Sequence, residues 1–170
     1  MTTKALTKMA LLVALLCVSA YIAIPIPFSP APLVATTIIL GLMAYLLTPK
    51  QAFVAISVYL LIGAVGVPVF AQGTGGIGRI LGPTGGYLLG YLVAYPLLSY
   101  GKGEKRSFLR YAIMGVLIPI PIVYVGGTIS LMVFLQLPLD KAIAVGVLPF
   151  ILPDIFKIIV AAWLGTKIKI

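Results

Sequence analysis

The chain is a succession of apolar runs separated by short stretches where proline, glycine and charge concentrate. The first run predicts a helical span over about Ala5 to Ile24, ending where IPIPFSPAP begins. Proline lacks an N–H and restricts the residue before it, so Pro25, Pro27, Pro30 and Pro32 stop that helix and predict an extended connection. A second span is expected from about Leu33 to Leu47, cut by the turn TPKQ around Pro49. At 15 residues it either sits aslant or reaches partway across a bilayer. The third runs from about Gln51 to Gly66.

Next comes PVFAQGTGGIGRILGPTGGY, Pro68 to Tyr87, a glycine-dense loop carrying one arginine between two strongly apolar segments. Backbone that leaves helical form at membrane depth is tolerated only where protein buries it or it lines a cavity. The loop is therefore expected to re-enter between helices 3 and 4 and to close a pocket. A fourth span follows from about Thr84 to Tyr100 and ends in the polar GKGEKRS. The run from Phe108 to Leu137 is 30 residues long, too long for one straight crossing, and Pro119, Pro121 and Gly126-Gly127 predict a break in it. Pro138 to Leu148 reads as a short interfacial helix, and the last span as about Leu152 to Thr166.

Composition agrees with this reading. The 170 residues are 62% hydrophobic and only 9% charged, with a mean hydropathy of +1.21, whereas soluble chains carry about 25% charged residues. The chain is read as an all-α integral membrane protein, a single domain over residues 1–170 with room for about six spans in one bundle. Its net charge of +9 does not indicate nucleic acid, because the basic residues border the apolar segments rather than forming one patch. Lys4, Lys8, Lys50, Lys102, Lys105, Arg106, Arg110, Lys167 and Lys169 fall on alternate connections. By the positive-inside rule both termini are expected in the cytoplasm, which six spans satisfy. The first run is long for a signal peptide and lacks an A-x-A-like cleavage site, so it is taken as a retained span.

The absence of histidine and the presence of only three acids argue against a metal cluster or a general acid–base pair, so no enzyme is expected. The single cysteine, Cys17, allows no intrachain disulfide and reads as a small packing residue. GTGGIG lacks both a preceding strand and the Lys-Ser/Thr of a nucleotide loop, so its glycines are assigned to close approach and positive φ.

Three charged residues are not explained by topology: Arg79, Asp154 and Lys157 all fall on the outer side. Charge at membrane depth is costly and usually faces a cavity. Asp154 and Lys157 share one face in the first turn of the last helix, with Pro153 suited to its first position. The plain alternative is a structural ion pair aided by the helix dipole. Arg79 is alternatively a snorkelling anchor, and Tyr87 and Tyr91 are alternatively packing or belt residues. In the first span, Ala10 and Ala14 make a small-xxx-small pattern that admits a close partner helix.

IPIPFSPAP, TPKQ, YLLIGAVGVPVFAQGTGGIGRILGPTGGYLLGY and VLPFILPDIFKIIVAAWLG together resemble the BioY family. The resemblance runs from about Ala10 to Gly165, and its block GAVGVPVFAQGTGGIGRILGPTGGY is long and specific. Members of that family are the biotin-specific substrate-binding S-components of energy-coupling factor (ECF) vitamin transporters. The resemblance implies a bundle of six membrane helices in the cell membrane, with both termini cytoplasmic and a vitamin pocket near the outer face. It implies docking on a transmembrane T-component driven by two ABC-type ATPases, with Ala10 and Ala14 on the docking surface of helix 1.

Biotin would then explain the polar residues. Asp154 of P-D-x-x-K is expected to accept from the ureido N–H groups and Lys157 to donate to the ureido carbonyl. Arg79, or a neighbouring loop group, is assigned to the carboxylate, and Tyr87 to a wall for the fused rings. Gln72 is either a contact or solvent-facing, while Gly75 and Gly76 are counted among the substrate-binding residues, in the loop that closes the site. No cofactor is expected, and the chain has no ATP-binding motif. An S-component for another vitamin and an autonomous carrier or channel are the competing readings.

Overall fold

Each apolar run folds as a helix, and in several of them proline or a capping side chain marks where it begins. The computed structural model describes residues 2–168, so Lys169 lies outside the described residues. Helix α1 spans Thr3–Ser19, with the Thr2 hydroxyl accepting from the Ala5 N–H at its N-cap. The proline-rich run then folds back on itself. Ala23–Ile24 (β1) pairs antiparallel with Leu33–Val34 (β2), so the expected extended connection is a small hairpin.

Helix α2 (Thr36–Leu46) and helix α3 (Pro49–Ala64) are joined by the tight turn that TPKQ encodes. There Thr48 caps α3, Gln51 reaches back to the Thr48 N–H, and Pro49 occupies the first turn, where an N–H would have no helical partner. The glycine-rich stretch contributes a single 3-10 turn at Ala71–Gly73 and the one-turn helix α4 (Ile77–Ile80). Helix α5 spans Gly85–Gly101. The long fifth run breaks where its prolines predict: α6 (Phe108–Leu117) gives way at Ile118 to α7 (Pro119–Leu135). The short α8 (Leu139–Gly146) and a 3-10 turn lead into α9 (Ile151–Lys167).

Packing is closest between α5 and α7, while α2 lies against α9 and α5. Gly86 and Gly126 bring the first two backbones together, since a Cβ at Gly86 would overlap the Gly126 carbonyl. The contact is fastened by Ser130, whose hydroxyl donates to the Pro83 carbonyl at 2.8 Å and accepts from the Gly86 N–H at 3.0 Å. Tyr45 of α2 stacks on Tyr111 of α6 with ring centroids 4.4 Å apart and donates to the Tyr111 carbonyl at 2.8 Å.

One end of the bundle gathers cations. Lys8 donates to the Leu46 carbonyl at 3.1 Å, Lys102 to the carbonyls of Ala44, Tyr45 and Leu47, and Arg106 to Ile168 at 2.6 Å. The start of α1, the ends of α2, α5 and α9, and the start of α6 therefore meet there. Around the sides, the outward faces are apolar. Leu11, Leu15 and Val18 of α1, Val54, Val58 and Leu61 of α3, and Leu89, Val93 and Leu97 of α5 are all exposed. Water would not tolerate so continuous a surface, whereas hydrocarbon does. The α6–α7 and α8–α9 runs, of 28 and 29 residues, are each long and apolar enough to cross a membrane.

Candidate functional site

The site lies at the end of the bundle opposite the cations. Its walls come from the β1–β2 connection, the start of α2, the glycine-rich loop, α5, α7 and the start of α9. They enclose about 790 Å³ of atom-free space, part of it open to the outside. Phe70, Tyr87, Leu88, Tyr91, Val123 and Phe150 give it an aromatic and aliphatic lining.

A polar cluster occupies one wall. α9 begins at Ile151, earlier than expected, so Pro153 is its third residue rather than its first. It still falls in the first turn, where the N–H groups have no helical acceptor. Asp154 and Lys157, one turn apart, pair with Nζ to Oδ1 at 2.5 Å, their side chains only 14% and 10% exposed. The other carboxylate oxygen, Oδ2, accepts from the Tyr124 hydroxyl of α7 at 2.8 Å. Lys157 also donates to the Val34 carbonyl in β2 at 3.0 Å, tying α9 to the hairpin. An acceptor, a donor and a phenol thus stand together in an otherwise apolar cavity. Such a wall suits a neutral group that both donates and accepts, because an ion would have to displace the existing pair.

Tyr87 is buried in α5, its ring against Gly127 and its hydroxyl donating to the Gly146 carbonyl at 2.7 Å. The phenol is consumed by that bond, which leaves its ring to the cavity. Gln72 and Arg79 reach the cavity from the loop, both exposed. Gln72 takes a left-handed φ of 61° while its N–H donates to the Ala20 carbonyl at 3.1 Å. Arg79 makes no ion pair or side-chain hydrogen bond among the described residues, so its guanidinium is available at the rim.

Gly75 and Gly76 lie outside the lining. Gly75 sits so close to the Val67 carbonyl that a Cβ would overlap it, and Gly76, at φ 97°, donates to the Gly63 carbonyl at 2.7 Å. These two positions seat the loop on the end of α3. Ala10 and Ala14, outside the cavity lining, are exposed on α1.

Sequence reasoning did not single out Tyr124. Its signal was available: it is the one phenol in the apolar α6–α7 run after the break at Pro119, a polar tip that a buried helix must satisfy.

The model of the BioY family matches residues 1–170. The chain is 38% identical to the probable biotin transporter BioY of Pyrococcus horikoshii, covering 99% of this chain and 98% of that one. It is 36% identical to the biotin transporter BioY of Thermotoga maritima, covering 98% and 96%. Its fold superimposes on the crystal structure of the S-component for biotin from an ECF-type ABC transporter with a TM-score of 0.90, at 26% identity, covering 98% of this chain and 93% of that one. A membrane protein with this sequence, this fold and an acid–lysine pair facing an apolar cavity belongs to the BioY family.

Proposed function

We propose that the chain is the biotin-binding S-component of an ECF-type uptake transporter, a binding subunit rather than an enzyme. The observation that carries this reading is the Asp154–Lys157 pair, held by Tyr124 and Val34 at the wall of an apolar cavity. A cyclic urea offers two N–H donors and a carbonyl acceptor without net charge. Asp154 accepts from the N–H groups, and Lys157 donates its remaining proton to the carbonyl. Tyr87 and Tyr91 supply faces for the fused rings, and the valeryl tail runs toward the rim, where Arg79 meets its carboxylate. Gln72 adds an amide beside it.

The chain sits in the cell membrane with six spans: α1, α2, α3, α5, the broken α6–α7 pair and α9. The cationic end faces the cytoplasm with both termini, which places the cavity toward the outside. Biotin enters between the β1–β2 hairpin and the glycine-rich loop. The loaded bundle then docks through the Ala10 and Ala14 face on a T-component powered by two ABC-type ATPases, and tilting turns the cavity inward for release.

Calorimetric titration of ligand-stripped protein in detergent with biotin tests the reading. The expected result is one-to-one binding without ATP. Absence of binding by a folded protein overturns it, and preference for thiamine, riboflavin or a folate would reassign the vitamin. Flux into vesicles holding this chain alone, without ATP, would favour an autonomous carrier.

A further inference from the structure

Thr37 stands in the first turn of α2 and lines the cavity beside Asp154, Lys157 and Tyr124. Its Oγ1 is the one buried side-chain oxygen or nitrogen that lacks a hydrogen-bond partner among the described residues. Several other buried hydroxyls are satisfied: Ser19 donates to Leu16, Ser99 to Leu47, Ser130 to Pro83 and Tyr59 to Val69. An orphan in such company needs a reason.

The start of α2 does not satisfy it. A helical threonine ordinarily donates to the carbonyl three or four residues earlier. For Thr37 those are Val34 and Leu33. The Val34 carbonyl accepts from Lys157 at 3.0 Å, and Leu33 belongs to β2, paired with Ile24 rather than continuing the helix. The lysine that defines the polar wall thus occupies one lone pair of the nearer carbonyl, and Thr37 makes no bond to the other. The hydroxyl belongs to a residue that lines the same cavity, and it can both donate and accept.

We propose that Thr37 is a specificity-determining contact, its Oγ1 hydrogen-bonding the cyclic urea of the ligand beside Asp154 and Lys157. The assignment rests on the biotin reading above. The urea has three polar atoms. Asp154 only accepts and Lys157 only donates, and each already spends part of its capacity on the other and on Tyr124 or Val34. A hydroxyl that can act either way completes the set.

A ligand contact and a structural threonine differ in what an isosteric change does. Thr37→Val keeps the shape and removes the orphan. It is expected to raise the Kd for biotin about tenfold, the scale of one buried hydrogen bond, while the ligand-free Tm stays level or rises. Thr37→Ser, which keeps the hydroxyl, is expected to bind within about twofold of the parent. Desthiobiotin retains the urea and lacks the sulfur ring, so Thr37→Val should weaken it by the same factor. An unchanged Kd, a ligand-free Tm that falls along with affinity, or a loss confined to biotin and absent with desthiobiotin would each overturn the assignment. If the parent protein binds no biotin, the function reading falls and Thr37 with it; if the parent binds and Thr37→Val is indifferent, only the Thr37 assignment falls.

Discussion

The Tyr124 hydroxyl reaches from α7 to Asp154 on α9, donating to Oδ2 at 2.8 Å while Lys157 holds Oδ1. The carboxylate is fixed at both oxygens before any ligand arrives, so its lone pairs that remain point in set directions. Affinity then depends less on ordering side chains at the moment of binding.

Asp154→Asn is expected to weaken biotin binding by about 1.5–3 kcal/mol, the scale of one charge-assisted hydrogen bond. It also strands a buried ammonium, so the ligand-free Tm should fall as well. Combining it with Lys157→Met removes the stranded charge. Calorimetry and thermal unfolding together should then show stability recovered and binding still lost; recovery of binding would reduce the pair to a structural one.

Tyr124→Phe deletes only the hydroxyl that orients Asp154. A several-fold rise in Kd is expected, smaller than for Asp154→Asn, because the residue acts through the carboxylate and does not replace it. A double-mutant cycle with Asp154→Asn measures the coupling, and strictly additive losses would show that Tyr124 acts independently.

Gly86→Ala places a methyl against the Gly126 carbonyl, where α5 and α7 touch through backbone. The helices must part to admit it. The expected cost is about 1–3 kcal/mol, read as a lowered Tm in detergent.

Ala14→Arg alters the exposed face of α1, away from the cavity. Biotin binding by the isolated protein should be unchanged while uptake by cells carrying the complete transporter is lost. Normal uptake would remove α1 from the docking surface.

Lys102 supplies the pH dependence. Burial, then the neighbouring Lys8 and Arg106, lower its pKa from 10.5 to about 8, against the pull of the three carbonyls it bonds. Between those two values the unfolded chain binds more protons than the folded one, so stability should rise with pH across that window. Thermal unfolding from pH 8 to 10 should show an upward slope that Lys102→Met lacks.

Much of the fold is legible in the chain because hydrocarbon solvent constrains it strongly. An apolar run must be helical to satisfy its own backbone, and proline must end or bend it. The turn at Thr48 to Gln51, the break at Pro119 and the short α8 all follow from residues within a few positions of the feature. Asp154 and Lys157 stand out for a similar reason: charge is rare in such a helix, and their spacing alone puts them on one face.

The remainder depended on contacts between residues far apart in sequence. Nothing near Tyr124 says that its hydroxyl meets Asp154, and nothing near Thr37 says that Lys157 claims the Val34 carbonyl 123 positions away in the chain. Likewise Gly75 and Gly76 read as pocket residues in one dimension, and the folded chain uses them to seat the loop on α3. Sequence by itself determined the class, the helices and the acid–lysine pair, since each follows from local pattern and the cost of exposing polar groups to lipid. Tertiary structure decided which hydrogen bonds are spent within the protein and which polar groups stay unpaired beside the cavity, because that allocation exists only once α2, α7 and α9 converge on it.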